Sequence, residues 1–207
     1  ASSVRRNDEL FFFRLALGVQ PGDAAARTTV RIDEWQADAI STDQLTGVPL
    51  VVLANVAALP DGALTDLERY VDAGGSLIVT LGDRVTAESY NTWLGDDRLH
   101  GGLLPGRLLG IVGDPAGDAD AQPAGFIAQV AAEHPMLAGF DDAALGNLNR
   151  VTFKARFAID APDDAVLMRA STGEPVLAEK RFGKGRVLLW ASTIDRDWTN
   201  LPLQPTS

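Results

Sequence analysis

Two apolar runs joined by one amphipathic stretch constrain this chain more than any other feature. Pro49-Leu50-Val51-Val52-Leu53-Ala54 and Ser76-Leu77-Ile78-Val79-Thr80-Leu81 lack the polar alternation of a half-solvated strand. Both faces of such strands must be covered, as inside a parallel sheet. Between them, Pro60-Asp61 opens a helix with Leu64, Leu67, Tyr70 and Val71 on one face and Asp66, Glu68, Arg69 and Asp72 outward. Gly74-Gly75 ends it, where left-handed backbone costs glycine little. Strand, helix and strand within Val48–Leu81 predict a right-handed βαβ unit.

The flanks extend this unit. Asn7 reads as an N-cap with Asp8 and Glu9 in the first turn, and Leu10–Leu17 as a short buried helix ending at Gly18. Phe11-Phe12-Phe13 reads as core packing, with a membrane- or partner-contacting face as the alternative. Gln20–Arg27 reads as a loop, and Thr28–Trp35 (TTVRIDEW) alternates as a strand does. Thr86–Leu94 is expected to be a helix with Tyr90 and Trp93 inward. Arg107–Val112 and Phe126–Val130 are short strand candidates around the Gly113–Gly125 loop, and Pro135–Phe140 is expected to turn under the sheet edge. From Val151 onward come short strands, with hairpins at Gly173 and Gly183-Lys184-Gly185. The expected fold is α/β, with a largely parallel central sheet and antiparallel strands added in the C-terminal third. No long linker divides the chain, so 1–207 is expected to be one domain.

Composition narrows the function. With 18 basic against 28 acidic side chains, the formal charge is −10, which speaks against a nucleic acid backbone as partner. There are no cysteines, and hence no disulfide, thiolate metal site or cysteine nucleophile. Leu10–Val19, the longest apolar run, contains Arg14 and is shorter than the roughly 20 residues of a membrane-spanning helix. Ala1–Arg6 leads into Asp8 and Glu9 instead of the apolar core of a signal peptide. The excess of arginine over lysine suggests a GC-rich bacterial genome, and both ends look cut, as in a domain taken from a longer protein.

Few motifs carry chemistry. Gly183-Lys184-Gly185-Arg186 lacks phosphate-loop spacing and joins two strands, so a hairpin is expected. Asp114, Asp118 and Asp120 lack the closing Glu of a calcium loop and read as solvated. His100 and Glu133-His134 are unaccompanied by HExxH, GxSxG or paired-histidine spacing. No catalytic residue or metal site is assigned. Ligands of open α/β sheets sit at the carboxyl ends of parallel strands. That singles out Asn55 after the first strand and Asp83-Arg84 after the second as ligand-binding candidates. Asp195-Arg196-Asp197-Trp198, after Val187–Ala191, is expected at the same end. The plainer reading is a loop-closing Asp83–Arg84 pair capping the helix at Thr86.

The run VVLANVAALPDGALTDLERYVDAGGSLIVTLGDRV, then EHPML, then GEPVLAEKRFGKGRVLLWASTIDRDWTNLP, resembles the class I glutamine amidotransferase-like superfamily. More narrowly, it resembles the non-enzymatic domains of bacterial membrane proteins with BatA-type or von Willebrand factor A-type regions. The resemblance covers roughly Thr28–Pro202. It implies a flavodoxin-like three-layer fold, but not the amidotransferase reaction. Active members place a cysteine on a sharp turn after a central strand, where this chain has Gly82-Asp83-Arg84.

The expected function is therefore a non-catalytic interaction or ligand-sensing domain of a cell-envelope protein. It is expected outside the cytoplasmic membrane, anchored by segments beyond this sequence, with no cofactor and with a protein or small ligand as partner. The alternative is a hydrolase or carbohydrate-active enzyme using Asp83, assisted by His134 or Asp195.

Overall fold

A strand with apolar side chains on both faces is stable only with neighbours on either side, and the second apolar run has them. The computed structural model describes residues 9–16, 30–95, 102–117, 123–137 and 147–204. Strands β1 (Leu50–Ala54) and β2 (Ser76–Thr80) pair in parallel, and β8 (Gly185–Trp190) pairs in parallel on the other side of β2. Leu77 and Val79 of β2 are completely buried. Helix α3 (Asp61–Asp72) connects β1 to β2 and buries Ala63, Leu64, Leu67 and Val71. Glu68, expected outward, is turned in at 9% exposure. Tyr70 is half-buried, and its hydroxyl donates to the Ser76 carbonyl at 3.1 Å, tying the helix to the start of β2.

Beyond β8 the pattern changes, and the expectation of a largely parallel sheet is corrected. The sheet order is β1-β2-β8-β7-β6-β4, with β7 (Pro175–Phe182), β6 (Val166–Ala170) and β4 (Ile127–Val130) all in antiparallel pairings. The cause is connection length. Parallel neighbours need a crossover of a dozen or more residues, whereas β6, β7 and β8 are joined by tight turns that allow only antiparallel return. β3 (Arg107–Gly113) leaves this sheet and pairs antiparallel with β5 (Ala155–Asp160) as a separate two-stranded ribbon.

Helix α4 (Ala87–Trp93) is capped by Thr86, whose hydroxyl accepts the Ser89 N–H at 3.3 Å. It buries Tyr90, while Trp93 is half-buried. The Asn91 carboxamide reaches β3, accepting the Leu108 N–H and donating to the Leu108 carbonyl, both at 2.8 Å. It thus does for one residue what a neighbouring strand would do. A short helix, α2 (Thr42–Leu45), precedes β1.

The N-terminal expectations fare less well. Helix α1 (Glu9–Ala16) forms, but Leu10 and Phe11 to Phe13 are only half-buried. The expected strand Thr28–Trp35 is absent over its described part: residues 30–36 have no regular structure, and Val30 is 45% exposed. Alternation says which side chains share a face, but a strand also needs a backbone ladder, and no strand among the described residues pairs with these. The Asn7 cap, Gly18, the whole Gln20–Arg27 loop and residues 138–140 of the expected turn lie outside the described residues. No described helix is long and apolar enough to cross a membrane.

The β7–β8 turn gives a direct test. Gly183 has φ +57°, and a Cβ there would lie 2.7 Å from the Asp72 Cα at the end of α3. Gly173, in the β6–β7 turn, has φ +98° with open space around it. Gly173→Ala should cost about 1 kcal/mol, from backbone strain alone. Gly183→Val adds a backbone clash and should cost more, about 2–3 kcal/mol, read as a lower urea midpoint at unchanged slope.

Candidate functional site

The parallel trio β1, β2 and β8 ends on one side of the sheet, and the three following loops meet there. β1 runs into Asn55, which is 5% exposed and adopts φ +48°. Asparagine tolerates this left-handed conformation better than most residues. Its backbone N–H still bonds the Thr80 carbonyl of β2 at 3.1 Å, so the turn begins on the last rung of the ladder. The Asn55 side chain then crosses to the loop after β2. Its Nδ2 donates to Asp83 Oδ1 at 2.8 Å, and its Oδ1 accepts the Arg84 backbone N–H at 3.1 Å. Gly82 makes this approach feasible, because a Cβ there would sit 2.5 Å from the Asn55 carboxamide carbon. The Asp83 and Arg84 side chains remain exposed.

The structure thus brings Asn55, Asp83 and Arg84 together through a carboxamide clamp and not through an Asp83–Arg84 ion pair, which is absent among the described residues. Arg84 contributes its backbone N–H. Tyr90 supports the same corner: its hydroxyl donates to the Val56 carbonyl at 2.5 Å, and burial pushes its phenol well above the ordinary value.

The third loop follows β8. Trp190 Nε1 donates to the Thr193 carbonyl at 2.9 Å, and the Thr193 hydroxyl accepts the Trp198 N–H at 3.3 Å, which folds residues 191–198 into a compact arch. Trp198 is buried against Phe157 of β5, ring centres 5.9 Å apart. Asp195 is 1% exposed, and its Oδ1 accepts the Asp197 N–H at 2.8 Å. The Asp197 carboxyl is raised above the ordinary aspartate value, first by burial, then by the charges of Asp195 and Asp83, with Lys154 pulling it down. The β2 and β8 loops leave the sheet side by side, the Leu81 N–H bonding the Ser192 carbonyl at 3.1 Å, and the Asp83 charge is one cause of the raised Asp197 carboxyl.

The other candidates lie elsewhere. His134 does not join Asp83. Its Nε2 is 3.1 Å from Glu179 Oε2 on β7, and Arg186, at the start of β8, is 3.2 Å from Glu179 Oε1. Glu179 Oε2 lies close to the imidazole without hydrogen-bond alignment. The neighbouring Glu133 is exposed. Gly183-Lys184-Gly185 is a hairpin turn whose Lys184 N–H bonds the Asp72 carbonyl at 3.0 Å, at the C-terminal end of α3. Asp114 closes a local turn on the Ala116 N–H at 2.9 Å; Asp118, Asp120 and His100 lie outside the described residues. Among the described residues no group of three or more His, Cys, Asp or Glu side chains is arranged to hold a metal ion.

Sequence reasoning missed the depth of Arg156, which is fully buried. It donates to Glu174 Oε2 at 3.0 Å and to the Thr172 hydroxyl at 2.7 Å. Sequence reasoning also gave no role to Lys154, and it named Gly82 without its part in admitting the Asn55 side chain. A buried arginine within the apolar VTFKARFAI run and the small residue two places beyond β2 were the available signals.

With the geometry in place, comparison with known proteins is informative. The family described as "Putative glutamine amidotransferase" (GATase1_like) matches residues 40–204. No curated protein matches the chain. Among solved structures, the chain is similar to "Cytoplasmic Protein STM1381" of Salmonella typhimurium LT2, at 18% identity and TM-score 0.56, covering 82% of this chain and 73% of that one. It is also similar to "Cytoplasmic Protein STM3548" of Salmonella typhimurium, at 20% identity and TM-score 0.52, covering 77% of this chain and 66% of that one. At such identities the likeness concerns the fold alone. The family match spans most of the chain, including all three loops of the site, and this chain therefore belongs to the glutamine amidotransferase-like family.

Proposed function

We propose that this chain is a non-catalytic amidotransferase-like domain that binds a small ligand or a protein partner at the carboxyl ends of β1, β2 and β8. One observation carries the reading. After β2, where active members are expected to carry the nucleophilic cysteine, this chain has Asp83, engaged by the buried Asn55 carboxamide. A carboxylate is a poor nucleophile towards an amide, and these residues include no thiol to form a thioester. The exposed Asp83 and Arg84 side chains, on a loop held by Asn55, suit recognition of a polar group. Family membership and the packing of α3 beside the parallel strands favour a flavodoxin-like three-layer arrangement for 1–207 as one domain. A place in a cell-envelope protein, outside the membrane and anchored by segments beyond this sequence, rests on the resemblance to BatA-type proteins alone.

A second reading has its own support. The raised Asp197 carboxyl beside Asp195 and Asp83 is the kind of paired-carboxylate environment that can separate an acid from a base in a hydrolase. His134, engaged with Glu179, is no part of it.

One experiment separates the two. Wild type and Asp83→Ala are assayed against amide, ester and glycoside substrates while their melting is followed. The non-catalytic reading expects no turnover from either protein and a loss of about 1 kcal/mol in the variant, the scale of one partly exposed hydrogen bond to a charged group. Turnover by wild type that vanishes in Asp83→Ala would replace this reading with the second.

The carboxylate cluster also has a pH signature. A folded-state pKa raised above the unfolded value means the ionised form is disfavoured in the native state, a destabilisation present at neutral pH and removed as pH falls through the carboxylate range. Asp197→Asn should therefore raise the melting temperature at pH 7, and the gain should shrink towards zero as the wild-type carboxyl protonates. A constant difference across that range would contradict the assigned electrostatics.

A further inference from the structure

Asp195 is buried without a counter-ion. It lies in the β8 arch at 1% exposure, and its Oδ1 accepts the Asp197 N–H at 2.8 Å. Its other oxygen, Oδ2, accepts no hydrogen bond among the described residues and is not fully enclosed. A buried carboxylate is costly unless it is paired or fully hydrogen-bonded. Two further carboxylates belong to the same corner. The charges of Asp195 and Asp83 both act on the Asp197 carboxyl, and Lys154 opposes them there. No ion pair reaches Asp83, Asp195 or Asp197 among the described residues. The Arg84 charge acts on the Tyr90 phenol instead, and Arg196 is exposed.

What this corner lacks is positive charge, and the oxygens on offer select its form. A divalent metal ion is a poor fit, because no three acidic or imidazole side chains among the described residues are arranged to hold one. A guanidinium favours both oxygens of one carboxylate. Asp83 and Asp195 have each committed one oxygen, to the Asn55 carboxamide and to the Asp197 N–H. A primary ammonium carries three donors on a compact head and matches single oxygens from different side chains. The bearer is a small molecule and not a protein surface. Interface cores are apolar, whereas the exposed large apolar side chains (Val30, Leu50, Leu109, Ile111, Phe126 and Leu203) all lie outside residues 55–59, 82–86 and 191–198.

We infer that the corner formed by Asp195 and Asp197, with Asp83 of the neighbouring loop, binds the primary ammonium group of a small molecule. The inference rests on the ligand-binding reading above and adds the class of ligand. Asp195 Oδ2 takes one ammonium donor in its recess, and Asp197 and Asp83 take the others, directly or through water. The ligand supplies the counter-charge that the fold does not, and so eases the repulsion among the carboxylates. Its binding favours the ionised Asp197 and therefore weakens as pH falls through the carboxylate range.

The probe is butylammonium chloride, added to the full chain at constant ionic strength while the aspartate carboxyl carbons are followed by NMR. Binding should be saturable, perturb Asp195 and Asp197 most, and move the Asp197 titration down. Butyltrimethylammonium keeps the charge but has no N–H donor, and should bind roughly tenfold more weakly. Asp195→Asn keeps an acceptor for the Asp197 N–H, removes the buried charge, and should weaken butylammonium binding roughly tenfold or more. Asp83→Asn, at an exposed position, should weaken it less and serves if Asp195→Asn does not fold. Asp43→Asn on α2, also exposed, changes the net charge equally and should leave binding unaltered. The proposal is overturned by no binding to wild type, by equal binding of the quaternary ion, or by an equal loss in Asp43→Asn. It is also overturned if potassium chloride perturbs the same carboxyls, since the corner would then attract any cation. Absent binding without turnover strikes the ammonium site alone, whereas turnover that vanishes in Asp83→Ala strikes the non-catalytic reading whatever butylammonium does.

Discussion

The site depends on the position of β2 between β1 and β8. A strand buried on both faces and hydrogen-bonded on both edges has no freedom of register. Its parallel alignment with each neighbour places three carboxyl ends side by side. Asn55, Asp83 and the arch at Asp195–Trp198 come from sequence positions far apart, and the trio of strands brings them to one end of the sheet. Leu77 and Val79, both fully buried, fix the sheet under α3 and so fix the loops above it.

Within that frame the loops are held by short polar contacts. The Asn55 carboxamide uses both its donor and its acceptor on Asp83 and Arg84, and the left-handed backbone at Asn55 aims it there. Removal of that group would leave a backbone N–H and a carboxylate to find new partners, so loop geometry and local charge are coupled. The β8 arch brings Asp195 and Asp197 towards the same corner and raises the Asp197 carboxyl.

Much of this was legible in the sequence because it is dictated locally. Continuous apolar runs mark buried strands, and the i, i+3, i+4 pattern from Leu64 to Val71 marks α3. The rule that ligands sit at carboxyl ends picked out Asn55, Asp83 and Arg84. What connects them was not legible. A carboxamide reaching 28 residues ahead in sequence, and a glycine needed for its close approach, are tertiary facts. The balance of parallel and antiparallel strands was misjudged because the strands of the C-terminal third outnumber those of the βαβ unit. The described part of Thr28–Trp35, residues 30–35, was misread because alternation reports the faces of a strand and says nothing about its edges. The inward turn of Glu68 also breaks the helical pattern that predicted the rest of its face correctly.

The convergence of the β2 and β8 loops is the central claim, and carboxyl titration tests it most directly. The side-chain carboxyl carbons of Asp83, Asp195 and Asp197 are followed by NMR as a function of pH, in wild type and in Asp83→Asn. The account predicts that Asp197 titrates above an ordinary aspartate in wild type and moves down when the Asp83 charge is removed. An Asp197 titration that is ordinary in wild type, or one that does not respond to Asp83→Asn, would show that the two loops do not share a site.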